Sequence, residues 1–221
     1  MKYGVTLGIL GVALVVVSWQ FLPWSIPLAW LGLNFLILGF AHACGWQEIF
    51  GKRPNGTLPW WRMAIFLPLL FYTSLVWHLF RLLSREPRIN KVSDQLSVGR
   101  RLLVSEYPEG FANYVDLTAE FQEPQIIRNT PAYFAFPILD ASAPSPELLE
   151  EAVKRLRTGA TFIHCAQGHG RTGLFALAVL ISTRAVAGVE EGLAILAKAR
   201  PAIRLNAKQM ECISSLASRF R

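Results

Sequence analysis

Three stretches near the start of the chain carry no charged side chain: residues 4–21, 26–44 and 63–80, of 18, 19 and 18 residues. Each approaches the roughly 20 helical residues that cross the hydrocarbon core of a bilayer. Trp19, Trp24, Trp60 and Trp61 stand at the ends of these runs, where interfacial aromatics gather. The first run does not read as a cleaved leader. Its only flanking cation is Lys2, and no small-residue cleavage site comes before Pro23 and Trp24. The sequence therefore predicts an all-α membrane region over 1–83 with about three spanning helices, the first two joined by FLPWSIP. A helical hairpin that dips part-way into the bilayer is the alternative.

The charge distribution agrees with that division. Residues 1–90 hold seven basic and two acidic side chains, and residues 91–221 hold fifteen and thirteen. The net charge of +7 thus comes mostly from membrane flanks, and no basic run with interleaved aromatics suggests a nucleic-acid partner. Lys2, Lys52, Arg53 and Arg62 would lie on one side of the membrane, and Arg81, Arg85, Arg88 and Lys91 on the other. That near tie leaves the orientation open on charge alone. His42 and His78 fall near run ends and read as interfacial residues. Three scattered cysteines exclude a disulfide scaffold.

Residues 84–95 are polar, contain Pro87 and read as a juxtamembrane linker to a domain over 96–221. Strand-like pieces follow at 96–98, 101–104, 114–117, 133–138 and 160–164. Helical patterns start at Ser145-Pro146-Glu147, near Arg171, at Val189 and at Asn206. This alternation predicts an α/β domain, a partly parallel sheet flanked by helices.

The chemistry concentrates in FIHCAQGHGRTG, residues 162–173. A strand would end at Cys165, the chain would turn through Gly168 and Gly170, and a helix would begin near Arg171. Glycines let successive backbone N–H groups point into one concavity. The helix N-terminus adds donors and a positive dipole end, and Arg171 offers a fork matched to phosphate oxygens. Such a cradle suits a tetrahedral dianion, and its positive field should favour the Cys165 thiolate. A thiolate beneath a phosphoryl group is a nucleophile aimed at phosphorus.

HCAQGHGRTG resembles the HCxxGxxR(S/T) signature loop of the cysteine-dependent tyrosine and dual-specificity phosphatases. The likeness extends more faintly over 95–216 through SVGRRL, VDLT, PILD and RPAIRLN. The short domain matches the compact dual-specificity type. The resemblance implies that Cys165 forms a phosphocysteine intermediate and that Arg171 binds the phosphoryl oxygens. It implies that Thr172 supports the departing thiolate and His164 holds the loop. Main-chain N–H groups across Ala166, Gln167, Gly168, His169, Gly170 and Arg171 would bind phosphate. Asp140, 25 residues before Cys165, is the candidate general acid, with turn capping as its competing role; Asp116 is the weaker candidate. Asn206 resembles a residue that supports the signature loop, and Gln209 one that positions water. A solvated helix position is the other reading of both.

No metal or other cofactor is expected. A zinc site from His164, Cys165 and His169 lacks paired spacing and a fourth ligand, and a rhodanese-like transferase fits the Arg-Thr-Gly ending less well. Neutral Ala166 and Gln167 argue against highly phosphorylated inositol lipids. His169 occupies one of the places where family members acting on such lipids carry lysines and keeps that reading open, so the expected substrate is a phosphorylated protein or general phosphomonoester, ahead of a phospholipid monoester of phosphatidylglycerol-phosphate-like or phosphoinositide-like kind. A non-catalytic membrane adaptor that binds phosphorylated groups is the alternative of another class. A working Cys165 thiol needs a reducing compartment, which predicts an integral membrane protein with its catalytic domain in the cytoplasm.

Overall fold

In a computed structural model the described residues are 2–220, apart from the side chain of Lys2. They form two compact units, Met1–Lys52 with Leu58–Ser84, and Arg53–Thr57 with Arg85–Arg221.

The first unit is helical. Helices α1 (Lys2–Trp19) and α2 (Ile26–Cys44) pack along their lengths. Glycines make the approach possible. A Cβ on Gly11 would lie 2.8 Å from the Gly32 carbonyl oxygen, and one on Gly39 2.8 Å from that of Gly4. Close backbone contact of this kind joins apolar helices where no water drives them together.

The third apolar run differs from expectation. In place of one helix over 63–80, the chain forms α3 (Trp60–Ile65) and α4 (Leu67–Leu83), which meet at Phe66. Pro68 accounts for the break, since it has no N–H to give the Ala64 carbonyl. The Phe66 N–H closes α3 on the Arg62 carbonyl at 2.9 Å. The freed Ile65 carbonyl accepts from the Trp30 indole at 2.8 Å and the Asn34 amide at 3.0 Å. Among the described residues, one helix, Ile26–Cys44 with mean hydropathy 1.6, is long and apolar enough to cross a membrane. Tyr3–Trp19 and Leu67–Leu83 are shorter apolar helices. Ile9, Val16, Phe40, Phe71 and Leu79 stand exposed on this unit.

The second unit is α/β. Its five-stranded sheet runs in the order β1-β2-β5-β3-β4: β1 (Ile89–Lys91), β2 (Leu96–Arg100), β3 (Asn113–Thr118), β4 (Tyr133–Ile138) and β5 (Thr161–Cys165). All pairings are parallel except β1 with β2. Strand β1 lies inside the stretch expected as a linker, with Asn90 opposite Val98. The strand expected at 101–104 is absent. There the chain turns into one 3-10 turn at Val104–Glu106, and the Glu106 carboxylate takes the Leu103 N–H at 3.1 Å.

β5 is buried along its whole length. Its side chains alternate between the two faces of the sheet. Ile163 and Cys165 join the main core with Leu174, Phe175 and Leu177 of α7 (Gly170–Ser182). Phe162 joins Tyr114, Leu102 and Ile127 in the other cluster. Around α7 pack α6 (Pro146–Lys154), α8 (Val189–Ala199) and α9 (Ala207–Ser218). One short helix, α5 (Gln125–Arg128), precedes β4. Strand β5 sits between β2 and β3, which come earlier in the chain. The carboxyl end of such an inserted strand is where open α/β sheets leave a crevice for ligands.

Candidate active site

Cys165 ends β5 at that crevice, and α7 begins five residues later at Gly170. The turn between them depends on Gly168. Its φ is +78°, and a Cβ there would lie 2.3 Å from the Gly99 carbonyl oxygen of β2. Both facts exclude a side chain. In this conformation the Gly168 N–H points back at the Cys165 sulfur, 3.3 Å away. The loop is pinned at both ends: the Ala166 carbonyl accepts from the Arg101 N–H at 3.2 Å, and the His169 carbonyl from the Gly173 N–H at 2.7 Å.

Arg171, in the first turn of α7, is 3% exposed. Its Nη1 and Nη2 donate to the two carboxylate oxygens of Glu120, each at 2.8 Å. Nη1 also reaches the Ile138 carbonyl at 3.1 Å, and Nη2 lies 3.2 Å from an Asp140 oxygen. Burial works against the guanidinium charge. Glu120, then Asp140, outweigh it, so Arg171 is held well above the ordinary arginine value, with the Cys165 sulfur adding to the effect. Arg171 Nε and Thr172 Oγ1 are buried and have no hydrogen-bond partner among the described residues. A buried charged donor left in this way is costly unless a ligand meets it.

Asp140 follows β4 and is largely exposed, with 67% of its side chain open. The chain after it is held by α9. Asn206 caps α9 by accepting the Gln209 N–H at 3.0 Å, and the Gln209 side chain returns a bond to the Asn206 N–H at 3.1 Å. The remaining amide hydrogens face the Asp140 loop. Asn206 Nδ2 donates to the Ala141 carbonyl at 2.9 Å, and Gln209 Nε2 to that of Ser142 at 3.2 Å. The structure therefore joins Asn206 to the Asp140 loop. Gln209 is buried and approaches Gly170 as well.

His164 is fully buried, stacked on Phe162 and tilted against Tyr114. One of its ring nitrogens lies within 4.8 Å of a carboxylate oxygen of Asp116 and one of Glu123. These carboxylates already serve the protein. Asp116 accepts from the Thr118 N–H at 2.9 Å and hydroxyl at 2.6 Å and from the Tyr133 hydroxyl at 2.7 Å, while Glu123 pairs with Arg101 at 2.7 Å. The trio is a polar layer behind the loop. Burial above all, with these two carboxylates, holds the Tyr114 and Tyr133 hydroxyls far above the ordinary tyrosine value. Asp116 lies in this layer, away from solvent.

Sequence reasoning missed three polar partners of the loop: Glu120, Arg200 and Glu86. Glu120 stands two residues beyond the VDLT strand, and an acid just past the carboxyl end of a central strand was the available signal. Arg200 sits 2% exposed at the end of α8 and donates to the Gln167 carbonyl at 2.9 Å. Glu86 meets His169 at 2.8 Å.

No family model and no curated protein matches this chain. Solved structures do. Tk-PTP in its active form is 25% identical with a TM-score of 0.54, over 60% of this chain and 98% of that one. A human tyrosine phosphatase-like serine/threonine/tyrosine-interacting protein is 15% identical with a TM-score of 0.53, over 61% and 99%. PTPMT1 in complex with PI(5)P is 14% identical with a TM-score of 0.50, over 61% and 97%. The α/β unit has the fold of the tyrosine and dual-specificity phosphatases.

Proposed function

We propose that the protein is a membrane-anchored phosphatase that hydrolyses phosphomonoesters through a phosphocysteine intermediate. The observation that carries this reading is the pairing of Cys165 and Arg171 around one glycine turn. The sulfur sits at the mouth of β5 beneath an inward N–H, and the guanidinium is fixed on one edge by Glu120 while its Nε stays open. A phosphoryl dianion would meet Nε and the loop N–H groups.

In this mechanism the Cys165 thiolate attacks phosphorus and forms the S–P bond as the ester P–O bond breaks. Asp140 gives its proton to the departing oxygen. Its exposed carboxylate beside Arg171, at 3.2 Å, supports that role. Water then attacks the phosphocysteine, Asp140 takes the water's proton, and sulfur leaves as thiolate with a hydrogen bond from Thr172. The buried, open hydroxyl of Thr172 suits that part. His164 and its polar layer hold the end of β5 in register.

We take the first unit as the anchor, with α1, α2 and the α3–α4 pair as its spans. Bare apolar side chains along these helices need lipid or protein to cover them. The catalytic unit would face the cytoplasm, where Cys165 stays reduced. A phosphoprotein or general phosphomonoester remains the first substrate class. The same exposed helices favour a second, a phospholipid monoester met at the bilayer surface, and the fold holds PI(5)P in PTPMT1.

The test is phosphate release by detergent-purified protein, with Cys165→Ser as control, from phosphotyrosine and phosphoserine peptides and from a lipid phosphomonoester in mixed micelles. Faster Cys165-dependent turnover of peptides or of lipid selects the class. No release from any substrate under reducing conditions would leave a phosphate-binding adaptor as the better reading.

A further inference from the structure

Glu86 follows α4 by three residues in the chain and belongs to the α/β unit. One of its carboxylate oxygens, Oε2, lies 2.8 Å from His169 Nε2 and 2.7 Å from Arg200 Nη2. Both partners act on the phosphate-binding turn. His169 is a member of it, and Arg200 Nη2 also donates to the Gln167 carbonyl at 2.9 Å. The other arm of Arg200 bonds the Pro87 carbonyl at 2.8 Å and the Asn90 side chain at 2.7 Å. One buried guanidinium thus links the turn to residues 86–90.

The backbone repeats the link. The Arg88 carbonyl accepts from the Arg100 N–H at 3.1 Å. A Cβ on Gly99 would lie 2.2 Å from that carbonyl oxygen, and one on Gly168 2.3 Å from the Gly99 oxygen. Residues 86–91, strand β2 and the turn at Gly168 are stacked with no room between them.

We propose that Glu86 is a positioning residue of the phosphate-binding loop, which orients the 167–169 turn through His169 and Arg200. The inference rests on the phosphatase reading and deepens it: the stretch leaving α4 is part of the frame of the active site. Charge-assisted hydrogen bonds are shorter and stronger than neutral ones, and a carboxylate that receives two of them on one oxygen fixes both donors. Without it, Arg200 keeps its carbonyl bonds but loses its ionic partner, and His169 loses the contact that ties the turn to residue 86. The loop N–H groups would then converge less well on an oxyanion.

The experiment uses the full chain in detergent and tungstate as a non-hydrolysable oxyanion. Binding is measured by calorimetry for wild type, Glu86→Gln, His169→Gln and the double variant, beside hydrolysis of para-nitrophenyl phosphate and thermal unfolding. Glu86→Gln is expected to bind tungstate about tenfold more weakly, the scale of one charge-assisted hydrogen bond, with a parallel fall in kcat/KM. The double variant should be no weaker than Glu86→Gln alone, because the contact that His169→Gln removes is one of the two that Glu86→Gln already disturbs. Wild-type binding and turnover in Glu86→Gln, or losses that simply add, would overturn the inference and leave the phosphatase reading intact. Should Glu86→Gln fail to fold, His169→Gln decides: weaker binding at an unchanged unfolding temperature supports the link, and wild-type affinity overturns it. Wild-type protein that neither binds tungstate nor releases phosphate would overturn both.

Discussion

Arg171 and Glu120 meet fork to fork, with two guanidinium nitrogens donating to two carboxylate oxygens at 2.8 Å each across 51 residues of chain. The pair fixes the plane of the guanidinium, so that Nε faces away from Glu120. Glu120→Gln keeps the shape but removes the charge and turns one acceptor into a donor. Turnover of para-nitrophenyl phosphate should fall about 100-fold, the scale for misplacing a group at a reacting centre. The melting temperature should fall too, because a buried cation loses its partner. Activity and stability equal to wild type would show that Arg171 is oriented by something else.

Asp140→Asn should lower kcat by a factor of about 100 or more for an alkyl phosphate, since the leaving alkoxide needs a proton. A nitrophenyl ester, whose leaving group is stable as an anion, should lose much less. Asp116→Asn should do the opposite. It disturbs Thr118 and Tyr133 in the layer behind the loop, so its effect should appear in the melting temperature. Equal sensitivity of both esters to Asp140→Asn would remove Asp140 as the acid.

The three thiols should differ in reactivity. Burial first, with Glu147 and Glu211 nearby, pushes Cys212 up to about 11 from the ordinary 9.0. Below pH 9 it is therefore protonated, and its reaction with iodoacetamide should rise only as the pH climbs toward 11. Cys165, set under the Gly168 N–H at the mouth of β5, should label faster than Cys212 at pH 7, while exposed Cys44 should label whether or not Cys165 is replaced by Ser. Mass spectrometry of the labelled peptides reads the difference directly. Rapid modification of Cys212 at pH 7 would contradict its buried place against the Pro144 carbonyl.

Asn206→Ala removes a helix cap and a bond to the Asp140 loop in one step. The cap alone is worth about 1 kcal/mol of stability. A larger consequence is expected in kcat than in KM, because the Asp140 loop is released while the phosphate cradle keeps its contacts. Asn206→Asp keeps the cap acceptor but loses the Nδ2 donor. It should restore the melting temperature while kcat stays low.

Gly168→Ala tests the turn itself. The residue has a left-handed φ of +78°, and the added Cβ would meet the Gly99 carbonyl at 2.3 Å. Strain of this kind costs about 1–3 kcal/mol. Tungstate affinity should fall with it, and unchanged affinity would show that the turn tolerates another shape.

The sequence alone determined the parts that depend on near neighbours. Three uncharged runs, the α/β alternation and the strand–turn–helix around HCAQGHGRTG were legible because each is set by the residue types within one or two turns of chain. The break at Phe66 also had a local cause, Pro68, but the uncharged run hid it. Only the tertiary structure decided who faces the loop. Glu120 reaches Arg171 across 51 residues, Asn206 reaches Ala141 across 65, and Arg200 reaches Glu86 across 114. Nothing in the spacing of a chain announces such partners. They meet because β5 is inserted between β2 and β3, which brings the ends of three strands, the start of α7 and residues 86–90 to one edge of the sheet.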